Sequence, residues 1–365
     1  TRRILCCSDN CSVRRRDRRG WYPELSRTPM RIDIILEPHL SAAEMVRLGK
    51  MAEGYGIAGV WVPNNIASRD PFVNFVPLAE QTTTLRIGPT AVSPFELHPV
   101  KMANLLLTLN ELSGGRAQIV VGAGGGTLEA MGVKPVRIIR AVRECIGLLR
   151  QAASGKPGGY KGELFHMAWL DASWVKAPPP LLYVGANAPQ MLRMGARCGD
   201  GIMVSDFTPK RVRWTREIID PVLRERGVEP ATFPLNNFWA WHVKESREEA
   251  QREARIYLTV RGTIWEPYIH DVVDAEEAKL VISKQRAFIR AYQSKSPEVE
   301  GVPDALLTKI VDHGVSASPV AEIEREIERL REFGRAGLNE IALCLYGNPA
   351  ESIRIIGEKV VPALG

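Results

Sequence analysis

From residue 31 onward, short apolar runs alternate with longer stretches in which apolar positions recur at helical spacing. The first run, RIDIIL at 31–36, is rich in β-branched residues and gives way to Pro38 and a polar turn. Ser41 then precedes Glu44 by three residues, the spacing of a capping box, and Ala42, Met45, Val46, Leu48, Gly49 and Ala52 form an apolar face that ends at Gly54 and Gly56. Further strands are predicted at 59–62 (GVWV), within 85–93, and at 117–122 (AQIVVG), 181–185 (LLYVG), 201–205 (GIMVS), 236–243 (NNFWAWHV) and 340–345 (EIALCL). Helical stretches follow them at 72–83, 98–112, 136–153, 189–198, 209–226, from Ser246, and at 349–364.

Near-continuous apolar strands joined through helices imply a parallel sheet with helices on its outer face. Eight such units imply an α/β fold closed into a (β/α)8 barrel rather than an open doubly wound sheet. Two segments interrupt the rhythm. Residues 154–180 are loop-rich with room for a hairpin, and 262–315 form a long, mainly helical insertion. The helix after it, at 319–333, carries EIEREIERLREF with charges paired four apart. Barrel insertions commonly sit on the C-terminal face, where they can cover an active site.

Composition narrows the field. The 45% hydrophobic and 25% charged residues are those of an ordinary globular protein, and no apolar run approaches the roughly 18–20 residues of a membrane span. The N-terminus is basic but lacks the apolar core of a secretory signal. Cys145, Cys198 and Cys344 stand singly with no C-x-x-C spacing, so a reducing, cytoplasmic setting is expected. The net charge of +6 is unevenly placed: residues 1–29 hold eight arginines against three acids, and the rest holds 40 basic against 39 acidic residues. A basic nucleic-acid surface spread over the fold is therefore excluded, and 1–29 are read as a disordered basic extension to a barrel of 30–365.

Catalytic groups in a barrel come from the C-terminal strand ends. In order these offer His39, Asn64 and Asn65, Ser93 with Phe95 and His98, then 122–127, 185–187, Ser205 and Asp206, His242, and Tyr346 with Asn348. The set holds no paired carboxylates, no histidine cluster of metal-ligand spacing and no serine elbow, so no metal is expected. The run GAGGG at 122–126 matches neither a dinucleotide fingerprint nor a P-loop. A mouth with many glycines and few charges suits an organic cofactor that carries the chemistry itself. The turn GANAP at 185–189 opens a helix at Pro189 and leaves N–H groups free for a phosphate. His39 and His98 also read as surface or packing residues, and His242, alternating with Trp239 and Trp241, as a partly buried structural one.

Five ordered motifs, GVWVPNNIASRDPF, LRIGPTAVSPFELHP, TLNELSGGRAQIVVGAGGG, LLYVGANAPQMLRMGARCGDGIMV and NPAESIRIIGEKVVPAL, resemble the bacterial luciferase-like oxidoreductases. Within that family the sequence is most similar to the methylenetetrahydromethanopterin reductase-like branch, which uses the deazaflavin coenzyme F420. The resemblance implies a TIM barrel, coenzyme F420 with FMN as the alternative, and hydride transfer with a small organic substrate. With FMN the reaction would instead be an oxygen-dependent monooxygenation. It also implies a homo-oligomer, a dimer, and a cis peptide between Thr90 and Ala91. Phosphate-binding turns would fall at Gly185 and Ala186 and at Val204 and Ser205, while Asn64, Asn65 and Ser93 face the ring system with Gly124 and Gly125 beneath. Asn64 and Asn65 stand where relatives carry Asp-His, and Gly125 where many carry an acid. With Asn65, Glu96 and His98 as the catalytic candidates, the proton then comes from Glu96, His98 or Asp206, or the reaction needs none from the protein, or the protein is a non-catalytic flavin binder.

Overall fold

The computed structural model describes residues 30–66 and 68–364, so the extension read at 1–29 lies outside the described residues. Among the described residues run ten strands: β1 (Arg31–Ile35), β2 (Gly59–Pro63), β3 (Arg86–Thr90), β4 (Gln118–Val121), β5 (Gly158–Lys161), β6 (His166–Leu170), β7 (Leu181–Gly185), β8 (Gly201–Ser205), β9 (Leu235–Trp241) and β10 (Glu340–Leu345). Eight of them pair in the order β3-β2-β1-β10-β9-β8-β7-β4, all parallel. The bridges Ile87–Ala117 and Val92–Val121 join β3 to β4 and close the barrel. The remaining pair, β5 and β6, is the antiparallel hairpin for which 154–180 left room.

Helices α1 (Ala42–Gly54), α2 (Pro71–Gln81), α3 (Pro99–Leu112), α4 (Gly126–Ala130), α5 (Ile138–Ala153), α6 (Pro189–Cys198) and α7 (Pro209–Glu225) lie in the first two thirds of the chain. Next come α8 (Arg247–Tyr257), α9 (Ala275–Ser283), α10 (Gln285–Ser294), α11 (Asp304–Gly314), α12 (Ile323–Arg335), α13 (Pro349–Ile355) and α14 (Val361–Leu364). Ser41 and Glu44 form the capping box expected on α1. The last helix is not continuous: a π turn at Ile356–Val360 separates α13 from α14, and there Gly357 leaves the space that the Tyr55 ring fills.

Strands buried on both faces produce two cores. Outward residues such as Ile32, Ile34, Val60, Val62, Ile341 and Leu343 pack with the helices. Inward residues, including Ile35, Trp61, Val120, Tyr183, Met203 and Ala342, fill the barrel. At its N-terminal end the filling is polar. Arg31 Nε donates to Asp33 Oδ1 at 2.9 Å, Trp61 Nε1 to Asp33 Oδ2 at 2.8 Å, and the Tyr183 hydroxyl to Glu340 Oε2 at 2.7 Å.

The sequence places an insertion at about 262–315. The structure adds that α8 packs against α10 and α11, while Phe333 of α12 meets Trp239 of the barrel edge to face at 5.0 Å. The long excursion thus leaves after β9, whose continuation touches Ser316 and Pro319 where the chain returns. It lies over the C-terminal ends of β8 to β10.

Candidate coenzyme and active site

The inward period of two along each strand decides what reaches the mouth. On β1 it carries Glu37 past Ile35, and on β9 it carries His242 past Ala240. On β10 it carries Tyr346 past Cys344, and on β7 and β8 it ends at Gly185 and Ser205. The peptide between Thr90 and Ala91 is cis. Thr90 Oγ1 contacts Met203 Sδ, and the chain then returns to pair Val92 with β4, where Val92 N donates to Val120 O at 2.9 Å. Ser93 is buried with its hydroxyl donating to Ala123 O at 3.4 Å.

Glycines shape the β4 corner. Gly124 has φ of 81°, and a Cβ there would lie 2.3 Å from Leu128 and 3.1 Å from Ser93 Oγ. Gly125 faces open space at the edge of a cavity of about 300 Å³ that Leu128, Glu129, Val133 and Lys134 also line. The turns after β7 and β8 are clamped together: Asn187 Oδ1 accepts from Ser205 N at 3.0 Å, and Asn187 Nδ2 donates to Ser205 O at 3.4 Å. Ala188 precedes α6 and supplies no side-chain cap, so the first-turn N–H groups after Pro189 have no capping side chain. Glycine corners and an uncapped helix opening beside a rigid turn fit a ring-bearing coenzyme with a phosphate.

Three titratable groups with shifted pKa values lie at the mouth. Asn64 Nδ2 donates to Glu96 Oε2 at 2.8 Å, and partial burial raises the Glu96 pKa against the hydrogen bonds that favour its charged form. Burial likewise raises Glu37, whose carboxylate lies 3.9 Å from His39 Nδ1. His242 is fully buried, with Nδ1 2.8 Å from Glu253 Oε2 and its ring stacked on Tyr346 at 4.8 Å. Burial lowers the His242 pKa despite Glu253, so the ring is neutral at physiological pH and its Nε2 has no partner. Beside this stack Asp206 Oδ2 accepts from Ser205 Oγ and Gly262 N, and Arg261 lies over the Phe238 ring at 4.5 Å.

The residues predicted from sequence separate here. Glu96, Asn64, Thr90, Ala91, Ser93, Gly124, Gly125, Gly185, Ala186 and Ser205 lie at the C-terminal strand ends or in the loops that follow them. Asn65 lies exposed beside Asn64, and Val204 points its side chain into the outer core and offers only backbone. His98 is the N-cap of α3: its Nδ1 accepts from Val100 N at 3.3 Å, and its ring meets Phe165 of the hairpin edge to face at 5.6 Å. His242 is wholly rather than partly buried, because its parity is inward while Trp239 and Trp241 point outward. Glu37 escaped notice although the alternation of Arg31, Asp33 and Ile35 points to it. The Glu253 and Arg261 contacts depend on the excursion and have no local signal.

Eight parallel strands closed into a barrel, with glycine corners and the opening of α6 at their C-terminal ends, have the frame of a (β/α)8 barrel enzyme. Residues 27–340 match the model of the luciferase-like monooxygenases, and the chain belongs to that family of oxidoreductases. It is 28% identical over 349 residues to the 5,10-methylenetetrahydromethanopterin reductase of Archaeoglobus fulgidus, covering 92% of this chain and all of that one. The corresponding reductase of Methanopyrus kandleri is 22% identical over 90% of this chain and 97% of its own. Among solved structures, the coenzyme F420-dependent tetrahydromethanopterin reductase of Methanopyrus kandleri superposes with a TM-score of 0.78 at 19% identity, over 93% of this chain and all of that one. An FMN complex of the oxygenating constituent of 3,6-diketocamphane monooxygenase from Pseudomonas putida gives 0.65 at 16%, over 92% and 99%. These two likenesses share the barrel fold.

Proposed function

We propose that the protein exchanges a hydride between coenzyme F420 and a carbon of a small organic substrate at the barrel mouth. The uncapped opening of α6, beside turns that Asn187 locks together, carries the reading. Full-length kinship to a reductase supports F420 over FMN. When bound, F420 supplies a ring carbon that gives or takes the hydride. The protein holds the phosphate on first-turn amides, where the helix dipole adds about 0.3–1 kcal/mol. Gly124 and Gly125 keep side chains out of the ring's space. The Arg261–Phe238 and His242–Tyr346 contacts wall off water from β8 to β10. Glu96 holds a proton on the side where relatives carry Asp-His, and Asn64 orients it. We also propose a homodimer in a reducing, cytoplasmic setting, which light scattering of the purified protein checks for the first part.

The test is titration with F420, FMN and FAD, followed by anaerobic turnover of reduced F420. The first substrate to offer is 5,10-methylenetetrahydromethanopterin, the compound in the archaeal relative's name. F420 should quench and turn over. Oxygen-dependent turnover with FMN would move the reading to a monooxygenase, and binding without any turnover to a flavin carrier. Binding to none of the three removes it.

A further inference from the structure

The inward row of β9 climbs from Asn236 at the barrel's base through Phe238 and Ala240 to His242. Phe238 lies deeper on this row than His242, yet it is partly exposed while the histidine is fully buried. Open space at the mouth therefore descends below the level of His242. In the strand order β9 stands four places from β3, so the two face each other across the barrel.

The His242 ring is gripped from behind. Its Nδ1 lies 2.8 Å from Glu253 Oε2, and the other carboxylate oxygen takes Lys244 Nζ at 2.9 Å. Lys244 Nζ also donates to Tyr346 O at 3.3 Å. Gly347, at φ of 63°, makes room for this carboxylate, since a Cβ there would stand 2.4 Å from Glu253 Oε1. One ring face stacks on Tyr346 at 4.8 Å, and Tyr346 packs in turn on Tyr257 of α8 at 4.2 Å.

A carboxylate fixed at both oxygens accepts the Nδ1 proton, which leaves the lone pair of the neutral ring on Nε2. That atom has no hydrogen-bond partner among the described residues. Arg261, whose charge also acts on the ring, is engaged with Asp206 at 3.5 Å. An unmade buried acceptor destabilises the fold, and packing alone gives no reason to back it with a carboxylate and a lysine.

We propose that His242 is a specificity-determining residue whose Nε2 accepts a hydrogen bond from an N–H or O–H group of the organic substrate, with Glu253 as its positioning residue. This rests on the reading of the mouth as a redox site. There the coenzyme ring lies against the glycine corner of β4 and the bend after β3, and the substrate takes the β9 side. A substrate analogue with that N–H or O–H methylated is rejected, because Nε2 would stay unpaired.

Diethyl pyrocarbonate, which acylates the lone-pair nitrogen of a neutral imidazole, is the first probe. Peptide mass should show His242 modified in the folded protein, as the exposed His39 and His270 are. Labelling of His242 only once urea unfolds the chain overturns the proposal. 5,10-Methylenetetrahydromethanopterin should slow this labelling, and F420 alone should not. Protection by F420 alone gives the nitrogen to the coenzyme and also overturns it. The second probe is kinetic. His242→Phe keeps an aromatic ring on Tyr346 without the acceptor, and should raise KM about tenfold while F420 affinity stays within about twofold. Glu253→Ala should raise KM as well, and Glu253→Gln, which keeps an oxygen for Nδ1–H, should recover most of the loss. Thermal unfolding establishes that the variants fold, and an unchanged KM in His242→Phe overturns the assignment. Failure of the redox reading shows differently, as a wild type that turns over no F420 while His242 still labels.

Discussion

Glu96 keeps its proton to a higher pH than a solvent carboxylate because burial disfavours the anion more than its hydrogen bonds favour it. If it delivers a proton, the rate falls as pH rises through that raised pKa. Glu96→Gln should flatten this limb and slow turnover about a hundredfold. Asn64→Ala removes a donor to the charged form, so it should move the limb to still higher pH; a pH profile of kcat reads both. Neighbouring glycines should behave differently. Gly125→Ala enters open space and should cost less than about 0.5 kcal/mol. Gly124→Ala combines positive φ with contact to the buried Leu128 and should cost about 1–3 kcal/mol, measured by urea unfolding. Valine at Gly185 would press on Val120, whose Cγ1 lies 3.2 Å from the added Cβ, so alanine is the cleaner probe of that turn. Glycines at strand ends are visible in any sequence. Which of them is crowded depends on residues such as Leu128 and Val120, which only the closed barrel brings close.

The β5–β6 hairpin is held by one side chain. Glu144 of α5 accepts from the amides of Glu163, Leu164 and Phe165 at 3.0, 2.9 and 3.1 Å, and Tyr160 covers Gly147 on the same helix. Burial pushes the Glu144 carboxyl up, but the three N–H donors prevail and hold it below its ordinary value of 4.5. A depressed carboxyl pKa stabilises the fold above the unfolded value and loses that contribution as pH falls through the folded one. Glu144→Gln should therefore be less stable than wild type by about 1–3 kcal/mol at neutral pH, with the gap closing in acid. Urea midpoints across that range check it. Element positions followed from local patterning: barrel strands and helices fall within a few residues of their predicted bounds, as with Leu181–Gly185 and Pro189–Cys198. The hairpin's anchor did not follow, since Glu144 precedes its three partners by about twenty residues on a different element.

Across the whole molecule, eight parallel strands with two cores explain why the strands read as nearly continuous apolar runs. The polar filling at the barrel's base was not readable as a network: Arg31, Asp33, Tyr183 and Glu340 come from three strands. Glu340→Ala should leave the buried Tyr183 hydroxyl without its acceptor while Arg31 keeps Asp33, and cost about 1–3 kcal/mol, seen as a lower urea midpoint. Neighbouring strands elsewhere share ladders, but β3 meets β4 through two isolated bridges, and between them Gly88 lies so close to the Gln118 carbonyl that even a Cβ would not fit. Hydrogen exchange should find this join. The amides of Ile87, Val92 and Gly122 should trade protons with solvent faster than those in the middle of β9 and β10, through local opening rather than global unfolding. Uniform exchange around the barrel would contradict this. The join runs up to Ser93 and Gly124, so a coenzyme seated there would staple it, and its arrival should be recorded as slowed exchange along β3 and β4.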